Sequence, residues 1–519
     1  MNRQTSHLVE LIGEQAKRIP DDTFLVYQNE CFTYADAEKK SNQVANLLAA
    51  RGIRKGDHIA LMLKNHPDYL WIWFGIAKLG AVMIPLNVHA KGESLCYTMN
   101  HSDAVMLIVD QEYSEEIVKI KTDLTQLQQI LHRDELMRQA HKESGRHRPY
   151  TAIRKEDPLS IIYTSGTTGR PKGVVLSHYS YINTGLMFRD VMMRIRKDDI
   201  LYTCLPLFHC NAQQLSVMST LLSGAKLVLS ERFSASRFWE EIRQSQATIF
   251  NYIGSMLTIL MKQPPQLTDQ DNTITRVFGG GAPKEIWREF EQRFGLTIVE
   301  GYGLTESATV CLCNSLEEIR VGSIGKPLPH ISIRVVNEQD QETAPNEVGE
   351  IAIREDVPHT QFSGYYKMPD KTEEAIKDGW FHTGDRGYRD EDGYFYFKDR
   401  LKDCIRYRGE NISSYEIEQV VNKYPSVRES AAIGVPSEVG EEDVKVVLTL
   451  QPNHSLDYQD FLSFCQERMA YYMVPRYVEV VEELPKTATQ RIQKYALRQQ
   501  GSGLAFDCAE LKKALRGKS

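Results

Sequence analysis

The chain has 519 residues, 42% of them hydrophobic and 25% charged, an ordinary globular composition with enough apolar material for more than one core. Its 62 Lys and Arg against 69 Asp and Glu give a net charge of −7, which excludes a broad basic surface for nucleic acid phosphates. Two or more domains are expected. Along the chain, Leu8, Leu11, Ile12 and Ala16 have helical spacing but lack the continuous apolar core and cleavage site of a secretory signal. Thr33 with Asp36 reads as a capping pair for a helix beginning near Tyr34, with Val44, Leu47 and Leu48 on its apolar face and Gly52 closing it. HIALML (58–63) reads as a buried strand, the region after Tyr69 as a helix and AVMIPLN as another strand. Lys78, Pro85 and two glycines interrupt residues 69–86, so a buried helix and strand explain this apolar stretch better than a membrane span. Similar alternation recurs at 225–229, 238–245, 248–252 and 297–300 without a fixed-period repeat. The fold class is therefore α/β, with one large layered unit.

After about Lys398 the run KDRLKD leads into a glycine-containing loop, and shorter mixed elements follow: SYEIEQVVNKY and DYQDFLSFCQERM as helices, ESAAIGV, DVKVVLTLQ and RYVEVVEEL as strands. The expected division is 1–401 for the large domain and 402–519 for a small α+β domain. The nine cysteines are scattered and odd in number, with no C-x-x-C pair, and read as reduced core thiols in a cytoplasmic protein.

YTSGTTGRPKGV (163–174) interleaves Thr164, Ser165, Thr167 and Thr168 with Gly166 and Gly169. Glycines let backbone N–H groups turn toward an anion, hydroxyls add neutral donors and Lys172 adds a compact charge, so the loop suits a polyphosphate. It does not match G-x-x-x-x-G-K-[ST], and composition alone also permits a flexible Ser/Gly/Thr loop.

This stretch resembles the phosphate-binding signature of the adenylate-forming (ANL) superfamily, which includes acyl-CoA synthetases, peptide-synthetase adenylation domains and firefly-type luciferases. LPLFHCNA (205–212), GGGAP (279–283), EGYGLTES (300–307), HTGD (382–385), DRLKDCIRYRGENISSYEIE (399–418) and PKTATQRIQKYALR (485–498) follow in the family's order. The general run, including ERFSASRFWEEI (231–242), is similar to crotonobetaine/carnitine-type and fatty-acid CoA ligases. The resemblance implies a large domain of α/β sheets with a distorted β-barrel subdomain, and a small C-terminal domain that rotates between two half-reactions. It also implies ATP, Mg²⁺ and coenzyme A acting on a carboxylic acid.

Within that resemblance, Tyr302 offers a face for adenine, with Gly281, Ala282 and Pro283 opposite, and Glu300, Gly301, Gly303 and Thr305 complete the nucleotide segment. Glu306 is a hard oxygen ligand for Mg²⁺. Asp385 reads the ribose diol, and Arg400 resembles a second ribose contact. His209 occupies the aromatic gate; by residue type alone a packed histidine is the commoner reading. Asn211, Asn251, Gly279 and Gly280 border the acyl pocket. Lys402 matches the hinge and Arg408, Gly409 and Glu410 the coenzyme A channel, with Arg408 standing where glycine is more usual. The family's P-x-T-x-x-G-K appears here with Gln490 and Arg491 in place of Gly-Lys, so either Arg491 or Lys494 is the adenylating cation.

The reading is an AMP-forming acid–thiol ligase acting through an acyl-adenylate. An enzyme loading a separate carrier-protein thiol and a non-catalytic nucleotide-binding homologue are the alternatives. The acid, and whether the protein is a homodimer, stay open.

Overall fold

In the computed structural model the described residues are 5–164, 170–400, 404–438, 440–485, 492 and 494–516, the side chains of 255, 399, 400, 404, 411, 415, 419, 495 and 514–516 aside. The chain forms two compact units. One comprises residues 1–88, 99–163 and 173–399, and the other residues 89–98, 164–172 and 400–519. The expected boundary between 401 and 402 lies outside the described residues.

The first unit holds two large sheets. One is nine-stranded. Its centre is parallel, running Thr297–Tyr302, Arg276–Gly280, Ile249–Ile253, Ile200–Thr203, Lys226–Leu229 and Thr23–Tyr27, with antiparallel strands at both edges. The other is seven-stranded, with Val82–Pro85, His58–Met62, Ala104–Val109 and Gln129–His132 in parallel. Buried Val, Ile and Leu on both faces give these strands near-continuous apolar runs, as parallel sheets require. The helix Pro67–Lys78 is buried all round, with Tyr69, Trp71, Trp73 and Phe74 within 1% of full burial, the signature of a helix inside the core rather than on its surface. It packs on Tyr34–Ala50, whose capping box forms as the sequence predicts: Asp36 N–H donates to Thr33 Oγ1 at 3.1 Å, and Thr33 N–H to Asp36 Oδ2 at 3.0 Å. Among the described residues no helix is long and apolar enough to cross a membrane.

A third, five-stranded sheet, Ile331–Val336, Gly349–Glu355, Trp380–Arg389, Ile376–Lys377 and Phe395–Arg400, supplies the half-barrel. In the second unit a hairpin, Cys404–Tyr407 with Glu410–Ser413, precedes a four-stranded sheet led by Val427–Pro436 and Glu442–Leu450, with helices Ser414–Val421, Tyr458–Arg468, Lys494–Gln499 and Ala509–Arg516. The core-thiol expectation needs one correction. Cys31 is exposed because it lies on an edge strand, and Cys96 and Cys210 are partly exposed. The eight cysteines with described side chains form no disulfide.

Candidate active site

Residues 302–306 are where the three sheets of the first unit meet. Tyr302 ends the strand Thr297–Tyr302 of the nine-stranded sheet, at the carboxyl end of its parallel strands, where open α/β sheets place their ligands. Its phenol donates to Asp385 Oδ2 at 2.7 Å, across 83 residues, and Asp385 lies in the half-barrel strand Trp380–Arg389. Asp385 is 2% exposed; Thr383 Oγ1 accepts its N–H at 3.0 Å, and Glu350 Oε1 accepts the Gly384 N–H at 2.8 Å. Burial first, then the Asp385 charge, push the Tyr302 phenol well above its ordinary pKa, so it stays a neutral donor. The Tyr302 ring lies 6.3 Å from that of Phe397 at a shallow tilt.

Glu306 sits in the short turn Thr305–Ser307 and is buried. The phenol of Tyr365, which ends the seven-stranded sheet's edge strand Phe362–Tyr365, donates to Glu306 Oε1 at 2.9 Å. The Tyr365 phenol is also pushed upward, by burial and then by Glu306. No hydrogen bond from a described residue occupies Glu306 Oε2. Beyond the turn, Ala308 and Thr309 take positive φ of 51° and 79° in succession, a rare conformation for a β-branched residue and a mark of a constrained site. Thr184 Oγ1 donates to the Ala308 carbonyl at 2.9 Å, and Thr309 Oγ1 to Gln214.

The loop carrying His209 is moulded by Asn65, whose amide donates to the Leu205 carbonyl at 3.0 Å and accepts the Leu207 N–H at 2.8 Å. His209 N–H closes onto Pro206 at 3.1 Å, and its ring lies 4.6 Å from Phe208. The chain then enters a π-helix, Asn211–Val217, a form common at functional sites because it widens a helix locally. This brings Asn211 Oδ1 and Ser216 Oγ each within 3.1 Å of Asn251 Nδ2. Cys210 Sγ lies 3.8 Å from Thr305 Oγ1, and burial raises its thiol pKa, which makes it a poor nucleophile.

Gly281, with φ +84°, Ala282 and Pro283 follow the strand Arg276–Gly280. The Glu300 carboxylate accepts Gly281 N–H at 2.5 Å and Ala282 N–H at 3.1 Å. Thr164 ends one strand and Lys172 begins the next, while Ser165, Gly166, Thr167, Thr168 and Gly169 lie outside the described residues. Arg400 ends the strand Phe395–Arg400, with its side chain outside the description, and Lys402 and Arg491 lie outside it altogether.

In the second unit, Arg408 and Gly409 form the two-residue turn of the hairpin with φ of 49° and 84°. Two consecutive left-handed residues are what a tight hairpin needs, and only the glycine adopts that state without cost. Gly409 N–H donates to Glu441 Oε2 at 2.9 Å, and Glu410 opens the following strand. Lys494 donates to Ser414 Oγ at 2.8 Å and pairs with Glu418 at 2.7 Å.

Sequence reasoning missed Asn65, Gln214, Tyr365 and Tyr252, whose phenol donates to Glu300. Each acts across a long sequence separation, so no local pattern announces it. Among the described residues no group of three or more His, Cys, Asp or Glu could hold a metal ion.

A family model described as AMP-binding enzyme matches residues 12–366, and one described as AMP-binding enzyme C-terminal domain matches residues 416–491. The chain is 32% identical over 514 residues to a crotonobetaine/carnitine–CoA ligase of Salmonella arizonae, covering 95% of this chain and 99% of that one. It is similar in structure to an o-succinylbenzoate CoA synthetase from Bacillus subtilis bound with a product analogue, with TM-score 0.84, 26% identity and 95% and 98% coverage. A fatty acyl CoA synthetase of Mycobacterium tuberculosis gives TM-score 0.72 at 28% identity, with 96% and 98% coverage.

Proposed function

This chain belongs to the family of AMP-binding enzymes, and from that premise we propose that it is an acyl-CoA synthetase that makes an acyl-adenylate from ATP and a carboxylic acid and passes the acyl group to coenzyme A. The observation that carries the reading is the convergence of Tyr302 and nearby Glu306, at one strand end, with Asp385 and Tyr365 from two strands far along the chain, held by buried phenol–carboxylate bonds.

Tyr302 takes the adenine face, with Gly281, Ala282 and Pro283 as the opposing wall. Asp385 is assigned the ribose hydroxyls, and Arg400 the neighbouring contact. Residues 164–169 and Lys172 hold the β- and γ-phosphates, where backbone N–H groups, hydroxyls and one ammonium stabilise charge without chemistry of their own. Mg²⁺ fits Glu306, because such a cation binds through one or two carboxylates plus substrate phosphates and Tyr365 takes only Oε1. When bound it neutralises charge on the departing pyrophosphate.

In the first half-reaction a substrate carboxylate oxygen bonds to the α-phosphorus and the bond to the β-phosphate bridge breaks, releasing pyrophosphate. The work is positioning and charge stabilisation. Arg491 is the adenylating cation in this reading, since Lys494 is already engaged by Glu418 and Ser414. In the second, the coenzyme A thiol, its proton lost, adds to the acyl carbonyl and AMP leaves. Rotation about Lys402 separates the two, and the turn at Arg408 and Gly409, with Glu410, borders the thiol's channel.

His209, Asn211, Asn251, Gly279 and Gly280 border the acid. The Asn211–Asn251 amide pair makes part of that wall polar. A cytoplasmic setting accords with eight described cysteines that form no disulfide. ATP–pyrophosphate exchange with a panel of acids, without coenzyme A, tests the adenylation step. Exchange with one class of acid supports the reading and identifies the substrate; absence of exchange with every class would oppose it.

A further inference from the structure

Three neighbouring parallel strands bring one carboxylate, one phenol and one glycine into a single row. Across the sheet Tyr252 is in register with Gly279, and Gly279 with Glu300. Side chains in one row of a sheet project to the same face. Tyr252 and Glu300 would be separated by whatever side chain stood at 279, and there is none. A Cβ at Gly279 would lie 2.2 Å from the Tyr252 carbonyl and 2.6 Å from its ring, so glycine is required for the ring to lean over. The Tyr252 phenol then donates to Glu300 Oε2, and both side chains are buried, Tyr252 at 0% and Glu300 at 4% exposed.

The same carboxylate reaches forward to the chain that leaves the middle strand. Oε1 accepts the Gly281 N–H at 2.5 Å and the Ala282 N–H at 3.1 Å, while Ala282 N–H also lies 3.2 Å from Oε2. From the other side the turn is pressed by Gly254, where a Cβ would stand 2.0 Å from the Gly281 carbonyl. The Glu300 carbonyl is fixed as well, accepting Asn314 N–H at 2.9 Å and its side-chain amide at 3.2 Å. An ionised carboxylate only accepts hydrogen bonds. Glu300 thus ties the ends of three strands to a turn that is left-handed at Gly281.

We propose that Glu300 is a positioning residue for the nucleotide: it holds the Gly281–Ala282 turn in place and does not itself touch ATP. This rests on the reading of residues 281–283 as the adenine wall. It also revises the place of Glu300 in the nucleotide segment, from ligand to support. By accepting from Tyr252, Gly281 and Ala282, the carboxylate preorganises the wall so that binding need not order it.

The test is Glu300→Gln in the full-length protein, beside Tyr252→Phe. A carboxamide removes the charge and sets an NH₂ against either the phenol or the backbone donors; the Tyr252 hydroxyl can reverse and accept, but its charge-assisted bond to the carboxylate is lost. Direct AMP binding by calorimetry, the KM values for ATP, acid and coenzyme A, and the melting temperature are the readouts. Glu300→Gln is expected to weaken AMP binding and raise the ATP KM by about tenfold or more, the loss of one charge-assisted bond, with the other two KM values within about twofold on the same scale. Tyr252→Phe, which leaves both backbone bonds intact, is expected to shift AMP binding the same way but less. AMP binding unchanged in Glu300→Gln would overturn the proposal, as would all three KM values rising together with a fallen melting temperature. Since AMP binding is read without turnover, inactivity toward every acid would count against the ligase reading and not against the role of Glu300.

Discussion

Replacing Lys494 with alanine is expected to weaken the C-terminal unit while leaving acyl-adenylate formation intact in the molecules that stay folded. Lys494 Nζ lies 2.7 Å from Glu418 Oε1 and 2.8 Å from Ser414 Oγ, and the paired side chains are 14% and 15% exposed. Glu418 also accepts the Ala432 N–H at 2.7 Å, so this pair joins the helices Ser414–Val421 and Lys494–Gln499 to the strand Val427–Pro436. Breaking a fully buried pair costs about 3–5 kcal/mol and an exposed one under about 1. At this exposure the loss is about 2 kcal/mol, and in a unit of this size about 10 °C of melting temperature. The assay is thermal melting of the full chain, in parallel with ATP–pyrophosphate exchange per folded molecule. Arg491→Ala is expected to do the opposite, leaving melting in place and reducing exchange by about a hundredfold or more, as loss of a transition-state cation does. Lys494→Ala that abolishes exchange with an unmoved melting curve would refute the assignment of the adenylating role to Arg491.

Glu306→Gln keeps an oxygen for the Tyr365 phenol but removes the charge, so turnover should fall by about a hundredfold with little change in melting; a magnesium titration of turnover that does not shift to higher concentration would contradict its assignment to the metal. Asp385→Asn leaves an acceptor for Tyr302 yet removes the charged reader of the ribose, and AMP affinity measured by calorimetry should fall by about tenfold or more. Glu416 supplies a pH dependence. Its Oε1 is buried without a partner, and burial raises its carboxyl to about 7 despite a hydrogen bond from Ser94. Because the folded pKa lies above the unfolded one, the folded state holds the extra proton. The C-terminal unit should therefore lose stability as pH rises from about 4.5 through 7, with up to about 3 kcal/mol at stake. Glu416→Gln should flatten melting temperature against pH over that window; an unchanged slope would exclude Glu416 as the cause.

The sequence carried the elements whose signals are local. The Thr33–Asp36 box, the buried runs at 58–62 and 82–85 and the helix Phe238–Ser245 all form where spacing and capping chemistry place them. Motif order marked the candidate nucleotide segment, because a turn rich in glycine at a strand end is also a local feature. Partners supplied from a distance were not legible. Tyr365 reaches Glu306 from 59 residues away, and Asn65 shapes a loop 140 residues on. The role of Glu300 depends on strand register, which fixes what a side chain meets across a sheet and which no single strand encodes. The π-helix at Asn211–Val217 was equally hidden, since its residues have no pattern that separates it from an α-helix.

Pyrophosphate release from ATP across a panel of carboxylic acids, run with and without coenzyme A and with products identified by mass, tests the central claim most directly. Turnover is expected to depend on coenzyme A and to yield AMP together with one acyl-CoA. Pyrophosphate exchange that never leads to an acyl-CoA, or formation of ADP in place of AMP, would contradict it.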